Sequence, residues 1–123
     1  TPEVIDAIRK AEVVIIGPSN PVTSILPILS CTGVREELAQ KKVIAISPFI
    51  GEGPVSGPAA QLMKTIKYPA DSTGVRALYA DLVDVFIQDE RDTAQVPGSV
   101  RLDTLMKTPA IAERLMREIL TRL

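Results

Sequence analysis

The chain has 123 residues, a formal net charge of −1, and 46% hydrophobic against 24% charged residues, which is one domain's length in an ordinary globular composition able to bury a core. Basic residues are neither in excess nor clustered, which excludes a nucleic-acid backbone binder, and no apolar run approaches the roughly 18–20 residues of a membrane span. With no histidine and one cysteine, Cys31, the sequence also excludes a Ser-His-Asp triad, a Cys-His pair, the usual zinc sites and an intrachain disulfide, leaving chemistry to carboxylates, Lys, Arg, hydroxyls, backbone amides or a hard metal.

Thr1-Pro2-Glu3 predicts a helix start: a hydroxyl N-cap, Pro at the first helical position and an acid in the first turn. Val4, Ile5 and Ile8 give that helix a short apolar face through about Lys10. Val13-Val14-Ile15-Ile16 is a continuous β-branched run whose two faces both call for burial, as in a parallel sheet covered by helices. Residues 24–30 predict a short helix, with Pro27 tolerable only in its first turn. "VREELAQKK", from Val34 to Lys42, predicts a better one, with acids early and lysines late.

Val43-Ile44-Ala45-Ile46 predicts a second buried strand, followed by the Gly/Pro-rich loop 47–54 and a helix from Gly57-Pro58-Ala59-Ala60 to about Ile66. "YPADSTG" breaks the chain, and Ser72 or Thr73 is the expected cap of a helix over about Gly74 to Ala80. Leu82 to Gln88 predicts a third strand, and Val100-Arg101-Leu102 a short fourth. Thr108-Pro109 repeats the opening signal and starts a final helix, with Ile111, Leu115, Met116, Ile119, Leu120 and Leu123 as its core face. The alternation predicts an α/β domain with a mostly parallel sheet.

Ligands of open α/β sheets bind beyond the carboxyl ends of the strands. That rule selects segments 17–24, 47–57, 88–92 and 103–108. In the first, Gly17 permits positive φ or a close backbone approach, Pro18 and Pro21 stiffen the chain, and Ser19, Asn20, Thr23 and Ser24 offer neutral hydrogen-bonding groups. Amides at the start of the following helix would suit a phosphate or carboxylate. An ordinary tight β-to-α turn has the same composition, so both readings stay open. It is neither a Walker A loop nor a dinucleotide fingerprint. In the second segment, Ser47, Gly51, Gly53, Ser56 and Gly57 present the same choice between turn and anion cradle. Asp89-Glu90-Arg91-Asp92 could hold magnesium through a few carboxylates or be a solvated loop. Asp103 is either a ligand contact or a turn residue bonding its own backbone. Cys31 is expected to be a packed or partly buried thiol, and Tyr68 and Tyr79 core or boundary residues.

Four blocks, "AEVVIIGPSNPVTSILPIL", "IAISPFIGEGPVSGPAAQLM", "YADLVDVFIQDERD" and "DTLMKTP", occur in an order and spacing that resembles the 2-phospho-L-lactate transferase family over essentially the whole chain. The resemblance implies a Rossmann-like three-layer fold and a magnesium-assisted transferase of coenzyme F(420) biosynthesis. Members move 2-phospholactate or phosphoenolpyruvate from a guanosine-diphosphate-activated donor to the ribityl hydroxyl of a deazaflavin, and GMP leaves. The chain corresponds to the C-terminal portion only. Members begin with a glycine-rich β-turn-α segment that helps build the nucleotide site, so the isolated span is expected to be a partial domain with an incomplete pocket. A related YvcK-like branch of non-catalytic nucleotide-sugar-binding regulators has a Gly-Pro-Gly-Ser type loop where this chain has Gly17-Pro18-Ser19-Asn20; the Asn20-Pro21 pair points to the transferase side.

Carried over residue by residue, the resemblance implies that Gly17, Pro18, Ser19, Asn20, Pro21 and Ser24 contact the acceptor or the transferring phosphate. Ser47, Gly51, Gly53, Val55, Ser56 and Gly57 shape the same cleft, and Glu52 stands where members often have a small residue. Asp103 is a weaker expectation for a polar contact, and Asp89 for the metal. No catalytic base is identified. Small-molecule substrates, a cytoplasmic location, and neither nucleic acid nor membrane as partner complete the expectation; a homodimer is among the assemblies the sequence allows.

Overall fold

A computed structural model describes residues 1–50, 53–54 and 59–122. Four strands, β1 (Val13–Ile16), β2 (Lys42–Ile46), β5 (Val85–Asp89) and β6 (Val100–Leu102), form one sheet in the order β1-β2-β5-β6. Every pairing in it is parallel. A two-residue antiparallel pair, β3 (Phe49–Ile50) and β4 (Gly53–Pro54), follows β2. The expectation of an α/β domain is met, and the hairpin is the one piece of sheet the sequence pattern did not mark, because two-residue strands carry no readable alternation.

The sheet is covered on both faces, as parallel sheets must be. On one face Ile16, Val43, Ala45 and Phe86 pack with Leu29, Val34, Leu38, Met63, Val75 and Tyr79. Those side chains come from α2 (Leu26–Leu29), α3 (Val34–Leu38), α4 (Ala59–Thr65) and α5 (Ser72–Tyr79). On the other face Ile44, Ile46, Ile87 and Leu102 pack with Leu115 and Ile119 of α6 (Pro109–Leu120). The alternation of partners along β2, Val43 and Ala45 to one side and Ile44 and Ile46 to the other, is the period-two geometry of a strand.

α1 (Pro2–Lys10) has Pro2 at its first positions, Glu3 in its first turn and Arg9 and Lys10 in its last, although Thr1 makes no side-chain cap. Ile5 and Ile8 pack on the core while Val4 is exposed. Two contacts tie this helix down: Arg9 pairs with Glu37 of α3 at 2.8 Å, and Lys41 Nζ donates to the Arg9 carbonyl at 2.6 Å. The cap of α5 is Asp71, which accepts from the Gly74 amide at 3.2 Å, so neither Ser72 nor Thr73 is the cap. Gly74 is required for packing, since a Cβ there would meet the Pro69 carbonyl oxygen at 1.9 Å. Thr108 does cap α6, accepting from the Ile111 amide at 3.2 Å. Met116 and Leu120 are exposed, so the buried stripe of α6 is narrower than predicted.

Candidate functional site

Because β1, β2, β5 and β6 run parallel, their carboxyl ends share one edge of the sheet. Register places Ile16 opposite Ala45, Ile46 opposite Ile87 and Asp89 opposite Leu102. The segments after them therefore line up in the order 17–24, 47–50, 90–99 and 103–108. At the usual inter-strand spacing the first and last lie about 14 Å apart. Gly17 and Asp103 belong to opposite ends of that edge and cannot contact the same ligand atom.

At the β1 end, Gly17 and Pro18 are half-buried, Ser19 and Ser24 exposed, Asn20 and Pro21 buried. Gly17 does not adopt positive φ, and a Cβ there would meet nothing within 4 Å. The expected local reason for glycine is therefore absent within the described residues. The Asn20 side chain accepts from the amides of Val22 at 3.0 Å and Thr23 at 3.3 Å. It caps a π-helical turn, Pro21–Ile25, in which the Ile25 amide reaches the Asn20 carbonyl. π-turns of this kind are frequent at functional sites. The cap also corrects an expectation. Two of the amides offered to a phosphate are already satisfied by Asn20. What remains outward is neutral: the Ser19, Thr23 and Ser24 hydroxyls, all on exposed residues. Below the loop, Gly17, Ile8, Ile25, Ile28 and Leu38 border an apolar cleft of about 190 Å³.

At the β2 end, Ser47 is fully buried. Its hydroxyl lies 2.6 Å from the Ser72 hydroxyl and accepts from the Phe49 amide at 3.2 Å. The Ser47 side chain, expected to help shape the cleft, is thus engaged within the protein interior. Ser72 in turn donates to Asp92, which is buried and also accepts from Gln88 Nε2 at 3.0 Å and the Ala94 amide at 3.0 Å. Gly53 lies in β4, opposite Ile50. Gly51, Glu52, Val55, Ser56 and Gly57 lie outside the described residues.

At the β5–β6 end, Asp89 is fully buried. One oxygen accepts from the Arg91 amide at 2.8 Å and Arg91 Nε at 2.7 Å. The other accepts from Arg91 Nη2 and the Thr104 amide, both at 2.8 Å, and from the Thr104 hydroxyl at 3.1 Å. Burial alone would raise the Asp89 pKa, but the hydrogen bonds from Arg91 and Thr104 outweigh it and hold the carboxyl far below the usual carboxylate range. Arg91 also bonds Asp103, and its own pKa is raised, first by the hydrogen bond to Asp89. Asp103 further accepts from the Leu105 amide at 3.2 Å, the turn role allowed for it. It also borders a charged cleft of about 250 Å³ against α6, with Glu90, Arg101, Arg114 and Glu118.

A magnesium ion does not fit this end. Both Asp89 oxygens are occupied by donors from the chain itself, Arg91 brings positive charge to the position a cation would need, and no group of three or more potential metal-ligating side chains occurs among the described residues. Sequence reasoning missed Arg91, Thr104, Ser72, Gln88 and Asp92 as the residues that organise this edge. The Asp-x-Arg spacing of "DERD" was the available signal for Arg91, since an aspartate side chain commonly bonds the amide two residues on. Cys31 is exposed, contrary to expectation; α2 ends at Leu29 and the following turn carries Cys31 off the core, its Sγ 3.4 Å from the Pro27 carbonyl. Tyr79 is fully buried, and Tyr68 partly so.

The described residues include no helix long and apolar enough to cross a membrane. The family model described as 2-phospho-L-lactate transferase CofD matches residues 1–115. The chain is 99% identical over all 123 residues to a 2-phospho-L-lactate transferase of Methanospirillum hungatei JF-1, covering 41% of that protein. It is 58% identical over 122 residues to the protein of that name from Methanocorpusculum labreanum, covering 98% of this chain and 40% of the relative. It is 43% identical over 120 residues to the one from Methanocaldococcus jannaschii, covering 94% of this chain and 39% of the relative. The chain thus spans about two fifths of the length of these curated relatives.

Proposed function

As the chain belongs to the 2-phospho-L-lactate transferase CofD family, we propose that it is one part of a transferase of coenzyme F(420) biosynthesis, the C-terminal portion that supplies one wall of the transfer cleft. In this reading a deazaflavin hydroxyl oxygen forms a bond to the phosphorus carrying the three-carbon acid. The phosphorus–oxygen bond to the guanosine phosphate breaks, GMP leaves, and the hydroxyl proton passes to solvent or to a base elsewhere in the protein. Such displacements are catalysed largely by positioning and by donors aimed at the reacting phosphoryl group. The absence of histidine is compatible with that demand.

The observation that carries the reading is the adjacency of the Gly17–Ser24 and Ser47–Ile50 segments beyond the carboxyl ends of two hydrogen-bonded parallel strands. It is the position where open α/β sheets take ligands. Gly17, which no described contact within the chain requires, and the outward Ser19 and Ser24 are the groups assigned to the acceptor or the transferring phosphate. Asn20 supports them by capping the turn. No step is assigned to magnesium. Whether 2-phospholactate or phosphoenolpyruvate is carried is decided by whichever donor turns over.

The test uses a full-length protein in which this chain replaces the matched span of the Methanospirillum hungatei relative. Given activated donor and deazaflavin in magnesium buffer, it is expected to release GMP in step with formation of the phosphorylated deazaflavin. No GMP release from either donor overturns the proposal.

A further inference from the structure

The buried polar groups beneath the β2 end form a directed chain. A carboxylate oxygen only accepts, so Ser72, whose hydroxyl donates to Asp92, has no proton left for Ser47. Ser47 must donate to Ser72 across their 2.6 Å contact. The Ser47 oxygen then accepts from the Phe49 amide. The sequence of donors runs from the Phe49 amide to Ser47, to Ser72, to Asp92. Gln88 closes it from the sheet side, with Nε2 on Asp92 and on the Ala94 carbonyl, each at 3.0 Å, while Ser99 Oγ donates to its Oε1 at 2.5 Å. Ser47, Ser72 and Gln88 are fully buried and Asp92 nearly so.

The chain joins four elements that no backbone ladder joins: the start of the β3–β4 hairpin, the end of β2, the first residue of α5 and the loop after β5. Buried polar groups are costly unless each finds a partner. A hydrophobic quartet would fill the space without fixing a direction. A donor chain with one allowed polarity fixes where the Phe49 amide points, and with it the start of β3.

We propose that Ser72 and Asp92 are positioning residues: they hold the β3–β4 hairpin, through Ser47 and the Phe49 amide, in the orientation that presents this wall to the ligand. The assignment rests on the proposed transferase reading for its ligand, but not for its structural consequence.

Ser72→Ala in the same full-length protein tests both parts. Amide hydrogen exchange at Phe49 and Ile50 is expected to accelerate by about tenfold or more, while Ile44 and Ile87 in the sheet keep their protection. The KM for one substrate is expected to rise about tenfold with kcat within about twofold, the signature of lost ligand positioning. Ser47→Ala is expected to match it, and the double variant to be no worse than either single one, because one chain is cut twice. Asp92→Asn is a third cut, since an amide cannot accept on both sides where Asp92 now accepts. Unchanged exchange at Phe49, additive losses in the double variant, or equal falls in kcat and kcat/KM with no change in KM would each overturn the assignment. If the unsubstituted protein releases no GMP, the transferase reading fails while the exchange measurement still decides the donor chain.

Discussion

The two ends of the ligand edge solve the same problem in opposite ways. At the β5–β6 end the polar groups are charged and largely engaged with one another: Asp89 with Arg91 and Thr104, and Arg91 with Asp103. At the β1 end they are neutral, and after Asn20 has capped its turn the hydroxyls of Ser19 and Ser24 remain on exposed residues. Asp89 and Arg91 are thus spent on an internal brace, while the hydroxyls of the neutral loop are the groups the proposed function assigns to ligand.

That contrast can be broken most forcefully at Asp89. Asp89→Ala strips the brace of its acceptor and is expected to cost about 3 kcal/mol in chemical denaturation. A loss below about 1 kcal/mol would return Asp89 to the pool of ligand-binding groups. The acid response is the next largest effect. The folded-state pKa of Asp89 lies below its unfolded value, so its contribution is present above the ordinary aspartate pKa near 4 and is lost as pH falls toward the folded value. Stability measured downward from about pH 4 should fall, and Asp89→Asn should flatten that slope; an unchanged slope would contradict the brace.

On the neutral side the expected effects on stability are smaller. Asn20→Ala removes a cap and should cost about 1 kcal/mol. A negligible change would mean that the turn holds itself. Gly17→Ala should change stability by less than about 0.5 kcal/mol, since a Cβ there meets nothing and φ is not positive. In the full-length transferase assay the same variant should lose activity about tenfold, because the added methyl occupies space assigned to ligand. Full activity would make the loop an ordinary turn and erase the distinction between the two ends.

Much of the fold was legible in the sequence because the signals were local and redundant. Val13–Ile16 and Val43–Ile46 announce strands, and Thr108-Pro109 announces a helix whose cap forms as expected. β1 nonetheless shows what periodicity cannot say. Its run is as apolar as that of β2, yet Val13, Val14 and Ile15 are only half-buried while Val43 to Ile46 are all buried. Burial depends on neighbours: β2 lies between β1 and β5, whereas β1 has one partner among the described residues. The site was less legible for the same reason. Ser47 and Ser19 look alike as letters, yet Ser47 continues the line of β2, its amide on the Ile87 carbonyl, and is buried, while Ser19 is exposed. The brace joins Asp89 to Thr104 and the donor chain joins Ser47 to Asp92, long-range pairings that leave no spacing to read. For Arg91 the local Asx-type turn was a signal, and for the cap of α5 so was Asp71, the first acid before "STG".

The buried ring of Tyr79 gives the molecule an optical property. The chain has two tyrosines and no tryptophan, and the Tyr79 hydroxyl is enclosed without a hydrogen-bond partner among the described residues. Burial pushes its ionisation upward, so a phenolate is disfavoured there while the layer between α5 and the sheet stays closed. In an alkaline titration the absorbance from this ring should appear with the cooperative loss of structure rather than ahead of it, which makes the core's own opening visible without a label.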